Sequence, residues 1–139
     1  MALPPKGYSR APAAGNPART EAWALLESAR ALEDAKTKGR DELLAAVRRN
    51  WRLWTIFQAS LLDKDCQMPE APRRNLLTLA DAIDKQTARI LAEPLPEHVD
   101  LLVNINRQIG EGLLEGARNA TAKQQTATPT PVGTLRESA

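Results

Sequence analysis

Apolar residues recur at helical spacing along four stretches of this chain. Proline occurs at positions 4, 5, 12, 17, 69, 72, 94, 96, 129 and 131, so the segments 18–68, 73–93 and 97–128 lack the residue that breaks helices. Within them Ala, Leu, Arg, Lys, Glu and Gln dominate, whereas Val, Tyr and Phe are scarce, which favours helix over strand. The pattern predicts an all-α fold, a small bundle of about four helices without a sheet.

The first two predicted helices share the long proline-free segment and are separated by a glycine. The first spans about residues 17–38, with Pro17 suited to its first position and Gly39 to its left-handed stop. Asp41 is expected to cap the second helix, which runs to about Leu62. We expect this helix to contribute most to the core, because two tryptophans that we expect to be buried lie among its apolar positions. These positions share one side of the helix and are Leu43, Leu44, Val47, Trp51, Trp54, Phe57 and Leu61.

The third and fourth predicted helices are divided by a proline-rich turn. The third begins near Pro69 or Pro72 and ends at Pro94, and most of its large apolar residues share one side. The fourth spans about residues 97–115. Its apolar stripe is wider than one packing face requires, since its polar arc is confined to Asn104, Arg107, Gln108 and Glu111.

The two ends of the chain differ in composition from its helical part. Residues 121–131 are polar and almost free of large apolar groups, and the first 15 residues are similar. Segments of this kind bury too little apolar surface to offset the entropy lost on folding. We therefore expect a flexible arm at residues 1–15, one helical domain at residues 16–116 and a disordered tail at residues 117–139.

Charge is distributed unevenly along the chain. The whole sequence carries a net charge of +2, but residues 1–19 carry +3, residues 116–139 carry +2 and residues 20–115 carry −3. A folded core of net negative charge matches a phosphate backbone poorly. Nucleic acid is therefore not the expected partner.

The sequence shows neither a membrane span nor an export signal. Its longest apolar run is a few residues, far short of the roughly 20 needed to cross a bilayer. Pro4 and Pro5 stand where a secretory signal would need an apolar stretch. We therefore expect a cytoplasmic protein.

Residues that could support catalysis or bind a metal are scarce. Cys66 is the only cysteine and His98 the only histidine. A nucleophile needs an adjacent base, so an enzyme would require folding to bring these two together. Asp63 and Asp65 resemble the start of a calcium loop, but the glycine and the closing glutamate of that pattern are missing. We expect no enzymatic activity, no metal and no cofactor, with a Cys66–His98 dyad as the enzymatic alternative.

A surface for binding another protein is the main candidate site. On the second predicted helix, Leu53 and Ile56 fall off the apolar stripe and lie among Arg49 and Arg52. Arginine and large apolar groups are enriched where partners dock. Either these residues form a docking surface or a neighbouring helix covers the two apolar ones. The wide stripe of the fourth helix adds two candidate contacts, Leu101 and Ile105.

Two asparagines interrupt apolar stripes. Asn50 lies in the stripe of the second helix and Asn106 in that of the fourth. A buried amide must find hydrogen-bond partners. These amides either fix the register of the helices within the bundle or bond the backbone of a partner, and the first interpretation is favoured.

Several short segments together match the pattern of one protein family. The most specific are Asn50-Trp51-Arg52-Leu53-Trp54 in the second helix and Asn104-Ile105-Asn106 in the fourth. The other matching pieces are Arg19-Thr20-Glu21, Leu61 through Asp63 and Asp65 to Met68-Pro69, Arg73 with Leu76 and Leu79, and Ile109 with Gly112-Leu113. In this order and spacing, over about residues 8–115, the chain resembles the bacterial flagellar biosynthesis regulator family FlaF.

The resemblance implies a small helical protein of the bacterial cytoplasm that is needed for flagellin production and export. It implies a flagellin-binding chaperone, with the flagellar export apparatus and a regulator of flagellin messenger RNA as further partners. Helix-in-groove packing would let such a chaperone cover the amphipathic terminal helices of flagellin. The family-motif positions with a structural role would be Asn50, Trp51, Trp54, Asn104 and Asn106.

The alternative function is binding of flagellin messenger RNA. It would depend on the basic side chains of Arg48, Arg49, Arg52, Arg73 and Arg74. Arginines on an amphipathic helix usually form a solvated face instead. Salt-dependent RNA binding that is lost when these arginines are replaced would support this alternative.

Overall fold

Four α-helices follow one another, as the apolar pattern predicts. This computed structural model describes residues 17–127 and, within them, the side chains of residues 18–119. The helices are α1 (Pro17–Ala35), α2 (Arg40–Leu62), α3 (Glu70–Ala92) and α4 (Asp100–Ala127), with a short 3-10 helix (Pro96–Val99) before α4. Residues 17–127 contain no strand, which confirms the all-α class.

The connection between α1 and α2 differs from the prediction. Helix α1 ends at Ala35 rather than near Lys38, and Gly39 lies at the N-cap position of α2 instead of stopping α1. Gly39 has a φ of 97°, a conformation that glycine adopts without steric cost. The predicted cap, Asp41, lies inside the first turn, where its carboxylate faces the positive end of the helix dipole.

Helix α4 is longer than predicted. It runs to Ala127 instead of ending near residue 115, so residues 117–127, assigned from composition to a disordered tail, are helical. Alanine, lysine and glutamine in this segment are good helix formers, and the next proline is Pro129. The predicted arm at residues 1–15 and the remaining tail at residues 128–139 lie outside the described part of the chain.

Helices α1 and α4 form the most extensive contact in the bundle, and they run antiparallel. Three contacts along their length set this direction. Lys36 Nζ lies 2.7 Å from Asp100 Oδ1 at one end, the Leu25 carbonyl oxygen accepts from Asn106 in the middle, and Ala22 faces Gly110 beyond it. The backbones are so close at Gly110 that an added Cβ would lie 3.2 Å from the Ala22 carbonyl oxygen.

The other two helices complete the bundle around one core. Helix α2 packs against both α1 and α3, whereas α3 meets α4 at few positions. The Trp54 side chain is only 1% exposed, and its ring meets Phe57 edge-on with centroids 5.4 Å apart. The largest apolar side chains buried with it are Leu25, Leu32, Leu61, Ile83, Ile90 and Leu102. No helix within residues 17–127 is long and apolar enough to span a bilayer.

Candidate functional site

The outward side of α2 carries large apolar side chains that the core does not use. Ile56 is 64% exposed and Leu62 is 66% exposed, although α2 already buries Trp54 and Leu61 on its inner side. Ile56, the exposed Ala59 and Leu62 follow one another at intervals of three residues. These three residues form a slanted stripe on α2, which we call the apolar stripe of α2.

Basic side chains precede this stripe along the same helix. Arg48, Arg49 and Arg52 are all exposed. No ion pair of theirs occurs within residues 18–119, and no acidic residue lies between Glu42 and Asp63. The outer side of α2 is therefore a cationic surface that continues into an apolar one.

A shallow groove of about 240 Å³ continues the surface at the end of α2. Leu61, Leu62 and Leu77 contribute its apolar wall, and Arg73 and Arg74 its basic rim. The Arg74 guanidinium donates to the carboxylate of Glu70, one turn earlier on α3, whereas Arg73 has no ion pair among the described side chains. The groove thus offers apolar surface next to one uncompensated positive charge.

The five arginines of the RNA-binding alternative do not form a continuous patch. Three lie near the middle of α2, at positions 48, 49 and 52, and Arg73 and Arg74 lie at the start of α3, beside Leu62. Arg52 and Leu62 are ten positions apart in α2, which corresponds to about 15 Å of helix. Because Ile56, Ala59 and Leu62 occupy this interval, the surface alternates basic, apolar and basic along α2.

The structure separates the residues predicted to bind a partner. Arg49, Arg52 and Ile56 share the outer side of α2, whereas Leu53 is half-buried against the core. Leu101 is 44% exposed, but it begins α4, at the end of the bundle where α1 connects to α2. Ile105 is only 7% exposed and packs in the core, so it offers no surface to a partner.

Leu62 was missed as a candidate contact. It follows the buried Leu61, and two adjacent leucines at a helix end do not reveal which of them faces inwards. The sequence signal for Leu62 is its spacing from Ile56 and Ala59, which precede it at intervals of three residues. Residues three apart lie near one another on a helix surface, so all three lie off the buried side of α2.

Asn50 and Asn106, which interrupt the core-facing apolar positions of α2 and α4, are completely buried and bonded to each other. Asn106 Nδ2 donates to Asn50 Oδ1 over 2.7 Å and to the Leu25 carbonyl oxygen over 3.2 Å. Asn50 Oδ1 also accepts from Ser28 Oγ over 2.8 Å, and Asn106 Oδ1 accepts from Trp54 Nε1 over 2.8 Å. We call Ser28, Asn50, Trp54 and Asn106 the amide network. It joins α1, α2 and α4 at one point, an arrangement suited to positioning the helices.

The other motif positions lie at the surface. Trp51, predicted to be buried, is 39% exposed, and its Nε1 donates to Asp84 Oδ1 of α3 over 2.9 Å. The prediction was wrong because Trp51 lies at the edge of the buried side of α2, where α3 covers only part of the ring. Asn104 is exposed on α4, two residues before the buried Asn106.

The sole cysteine and the sole histidine lie at opposite ends of α3. Cys66 is a free thiol between α2 and α3, and His98 lies in the 3-10 helix after α3, its Nδ1 3.1 Å from the Glu93 carbonyl oxygen. The 23 residues of α3 correspond to about 34 Å, so the two side chains do not form a dyad. Asp63 Oδ1 accepts from the Asp65 backbone N–H over 2.8 Å, a local turn contact.

One family matches most of this chain. The sequence model of the family described as flagellar protein FlaF matches residues 6–113, a range that contains the apolar stripe of α2, the groove beside it and the amide network. No match was found among curated proteins or solved structures. The match confirms the resemblance that the Asn50–Trp54 and Asn104–Asn106 motifs indicate, and this chain belongs to the FlaF family of flagellar proteins.

Proposed function

We propose that this protein is a flagellin-binding chaperone of the bacterial cytoplasm. It covers amphipathic helices of flagellin before export, and in this way it supports flagellin synthesis and export. Family membership supports a role in the flagellum. The observation that carries the step to helix binding is the exposure of Ile56 and Leu62, each about two-thirds accessible on a helix whose other side already fills the core.

The physical argument depends on what these side chains would gain in a complex. Covering a leucine or isoleucine side chain that is otherwise exposed contributes about 1.5–3 kcal/mol. Amphipathic helices that are unpaired before assembly present the complementary apolar face, and helix-in-groove packing joins the two. A chaperone of this kind needs no catalytic group and no cofactor.

A calorimetric titration of the full chain into monomeric flagellin tests the proposal. We expect saturable binding with a dissociation constant of tens of micromolar or tighter, about 6 kcal/mol of binding free energy or more. Flagellin that lacks its terminal helical segments is the matched control and should release no binding heat. Absence of heat with intact flagellin, supported by absence of co-elution, would contradict the proposal.

A second measurement separates shielding from simple association. Light scattering under conditions that promote flagellin assembly should show slower growth of polymer when this protein is added in stoichiometric amount. The same protein added to flagellin without terminal segments should change nothing. Unchanged assembly of intact flagellin in the presence of a bound chaperone would contradict the shielding role and leave only binding.

The RNA-binding alternative receives less support from the arrangement of the arginines. A phosphate backbone is charged along its whole length and binds best to a continuous basic track. Here the basic residues form two groups separated by Ile56 and Leu62. The order of groups along α2 therefore favours a protein segment with an apolar middle.

A further inference from the structure

The apolar stripe of α2 has a defined length and defined neighbours. Ile56, Ala59 and Leu62 all lie exposed, and Leu62 also lines the groove against α3. Arg52 lies about 6 Å before Ile56 along the helix axis, and from Ile56 to Leu62 the stripe rises by about 9 Å, nearly two helical turns. An occupant that covers this stripe needs an apolar face of about the same length.

Positive charge lies at both ends of the stripe. Arg52 precedes Ile56 by one turn and Arg49 by two turns, and neither forms an ion pair within the described side chains. At the other end, half-buried Arg73 borders the groove beside Leu62. Guanidinium groups recognise carboxylates by paired, charge-assisted hydrogen bonds. The complementary occupant therefore carries a carboxylate at each end of its apolar face.

A second copy of this chain does not fit these requirements. In a two-fold symmetric contact the same surface faces itself, so Arg49 and Arg52 of one copy would face either the same arginines of the other copy, with parallel helices, or its Arg73, with antiparallel helices. Like charges placed opposite one another weaken an interface by several kcal/mol. The charge of the surface therefore favours a different, acidic partner.

We propose that the apolar stripe of α2, together with Arg49, Arg52 and Arg73, is the docking site for an amphipathic helix with an apolar face of about two turns and a carboxylate at each end of it. This inference rests on the proposed function, in which the helix is a terminal segment of flagellin. The apolar face packs on Ile56 and Leu62, and the two carboxylates bond the arginines at either end. The charges hold the helix along α2, and the apolar contact supplies most of the affinity.

Full-length variants test the site by calorimetry with monomeric flagellin. The double variant Ile56→Asp/Leu62→Asp should bind at least about tenfold more weakly, because it puts charge into the apolar contact. The double variant Arg52→Glu/Arg73→Glu should also lose about tenfold or more, and its remaining binding should be less sensitive to salt. Leu95→Asp is the matched control, since Leu95 is exposed between α3 and the 3-10 helix, at the other end of the bundle, and it should bind as the unmodified protein does. Helical circular dichroism should be the same for all four proteins.

The charge requirement has its own test. Two synthetic helical peptides share one apolar face of about two turns, and one has glutamate at both ends of that face whereas the other has lysine. The glutamate peptide should bind the full chain at least about tenfold more tightly, and Arg52→Glu/Arg73→Glu should abolish the preference. Equal affinity for the two peptides would overturn the assignment of carboxylates to the partner.

The remaining outcomes distinguish the site from the proposed function. If flagellin binds the unmodified protein and Ile56→Asp/Leu62→Asp equally, the docking site is overturned and the proposed function stands. If flagellin does not bind the unmodified protein, both are overturned. A dimer in sedimentation that Ile56→Asp/Leu62→Asp separates would assign the stripe to a second copy and overturn the inference. Binding of flagellin messenger RNA that Arg52→Glu/Arg73→Glu abolishes, with flagellin binding intact, would also overturn it.

Discussion

The amide network fixes the orientation of each side chain in it. The indole N–H of Trp54 can only donate, so the Asn106 atom that faces it is the oxygen. Asn106 Nδ2 then donates on its other side, and the Asn50 atom that accepts is also an oxygen. This leaves Asn50 Nδ2 buried with no hydrogen-bond partner within the described residues. One indole thus determines the direction of every bond in the network.

Asn106→Ala is expected to destabilise the fold strongly. It leaves the buried indole N–H of Trp54 without its acceptor and removes one bond from Asn50, and a buried donor without a partner costs about 1–3 kcal/mol. With the lost bond to Leu25 included, we expect a loss of about 2–3 kcal/mol in the free energy of unfolding, measured by urea denaturation.

Asn104→Ala is the matched control from the same motif. Asn104 is exposed, so its replacement should change the free energy of unfolding by no more than about 0.5 kcal/mol. Equal losses for the two alanine variants would contradict a structural role that is specific to Asn106.

Glu21 is expected to make the stability of the protein depend on pH. Burial raises the pKa of the Glu21 carboxyl above its ordinary value, because the ionised form loses hydration. The folded state therefore binds the proton more tightly than the unfolded state, and stability falls as the pH rises through the raised pKa. Glu21→Gln removes this effect and should raise Tm at neutral pH. In acid, where the carboxyl is protonated in both states, the variant and the unmodified protein should have the same Tm.

Thermal melts followed by circular dichroism at the two pH values check this expectation. Glu111→Gln removes an exposed carboxylate from α4 and controls for the change in net charge. A Glu21→Gln protein with a lower Tm than the unmodified protein at neutral pH would show that the carboxylate stabilises the folded state, contrary to the sign derived from its burial.

At the scale of helices, most of the fold follows from proline positions and apolar spacing. The number of helices, the end of α2 at Leu62 and the start of α3 after Pro69 are as predicted. The predicted end of α4 was wrong because the last turns of the helix contain few apolar residues to mark them. The helix propensity of alanine, lysine and glutamine nevertheless continues to Ala127. Apolar spacing locates the helix faces that pack and does not locate helical turns that extend beyond the packed part.

The three glycines of α4 lie in two kinds of environment, and replacing them by alanine should have opposite effects on stability in the two. A Cβ at Gly110 would lie 2.8 Å from Leu26 Cγ and 3.2 Å from the Ala22 carbonyl oxygen, whereas a Cβ at Gly112 or Gly116 would meet nothing within 4 Å. Gly110→Ala must push α1 and α4 apart and should cost about 1–3 kcal/mol of stability.

Gly112→Ala is the control for the change in backbone entropy at a helical position. Its Cβ points into open space, so it should raise the free energy of unfolding by about 0.5–1 kcal/mol. Chemical denaturation measures both variants. Stabilisation by Gly110→Ala would show that the two helices do not depend on their close approach at this position.

At the scale of the whole molecule, the candidate site could be predicted only in part. The sequence identifies Arg49, Arg52 and Ile56 as off the packed side of α2, and the structure agrees. Leu53 and Ile105 were included because a helical wheel shows angles on one helix but not the side chains of its neighbours. Which apolar residues remain exposed depends on how the four helices are arranged around each other, and spacing along one helix does not contain that information.

The helices are not expected to be equally stable within the folded protein. Helix α3 packs mainly on α2 and meets α4 at few positions, whereas α1 and α4 contact each other along much of their length. Thr87, in the second half of α3, also has a buried hydroxyl with no hydrogen-bond partner among the described residues. Backbone amides of α3 should therefore exchange with deuterium faster than those of α1 at residues 25–32. Equal protection in hydrogen-exchange measurements would show that the bundle opens only as a unit.

The direction of bonds in the amide network also constrains how relatives of this protein can diverge. An alanine or leucine at the position of Asn106 would leave the indole N–H of Trp54 buried without its acceptor, so such a chain gains by replacing the tryptophan as well. Positions 50, 54 and 106 are therefore expected to covary, and a homologue that differs at one of them should carry a compensating exchange at another. Substitutions at these three positions should therefore accompany one another, although the positions belong to α2 and α4, which are far apart in the chain.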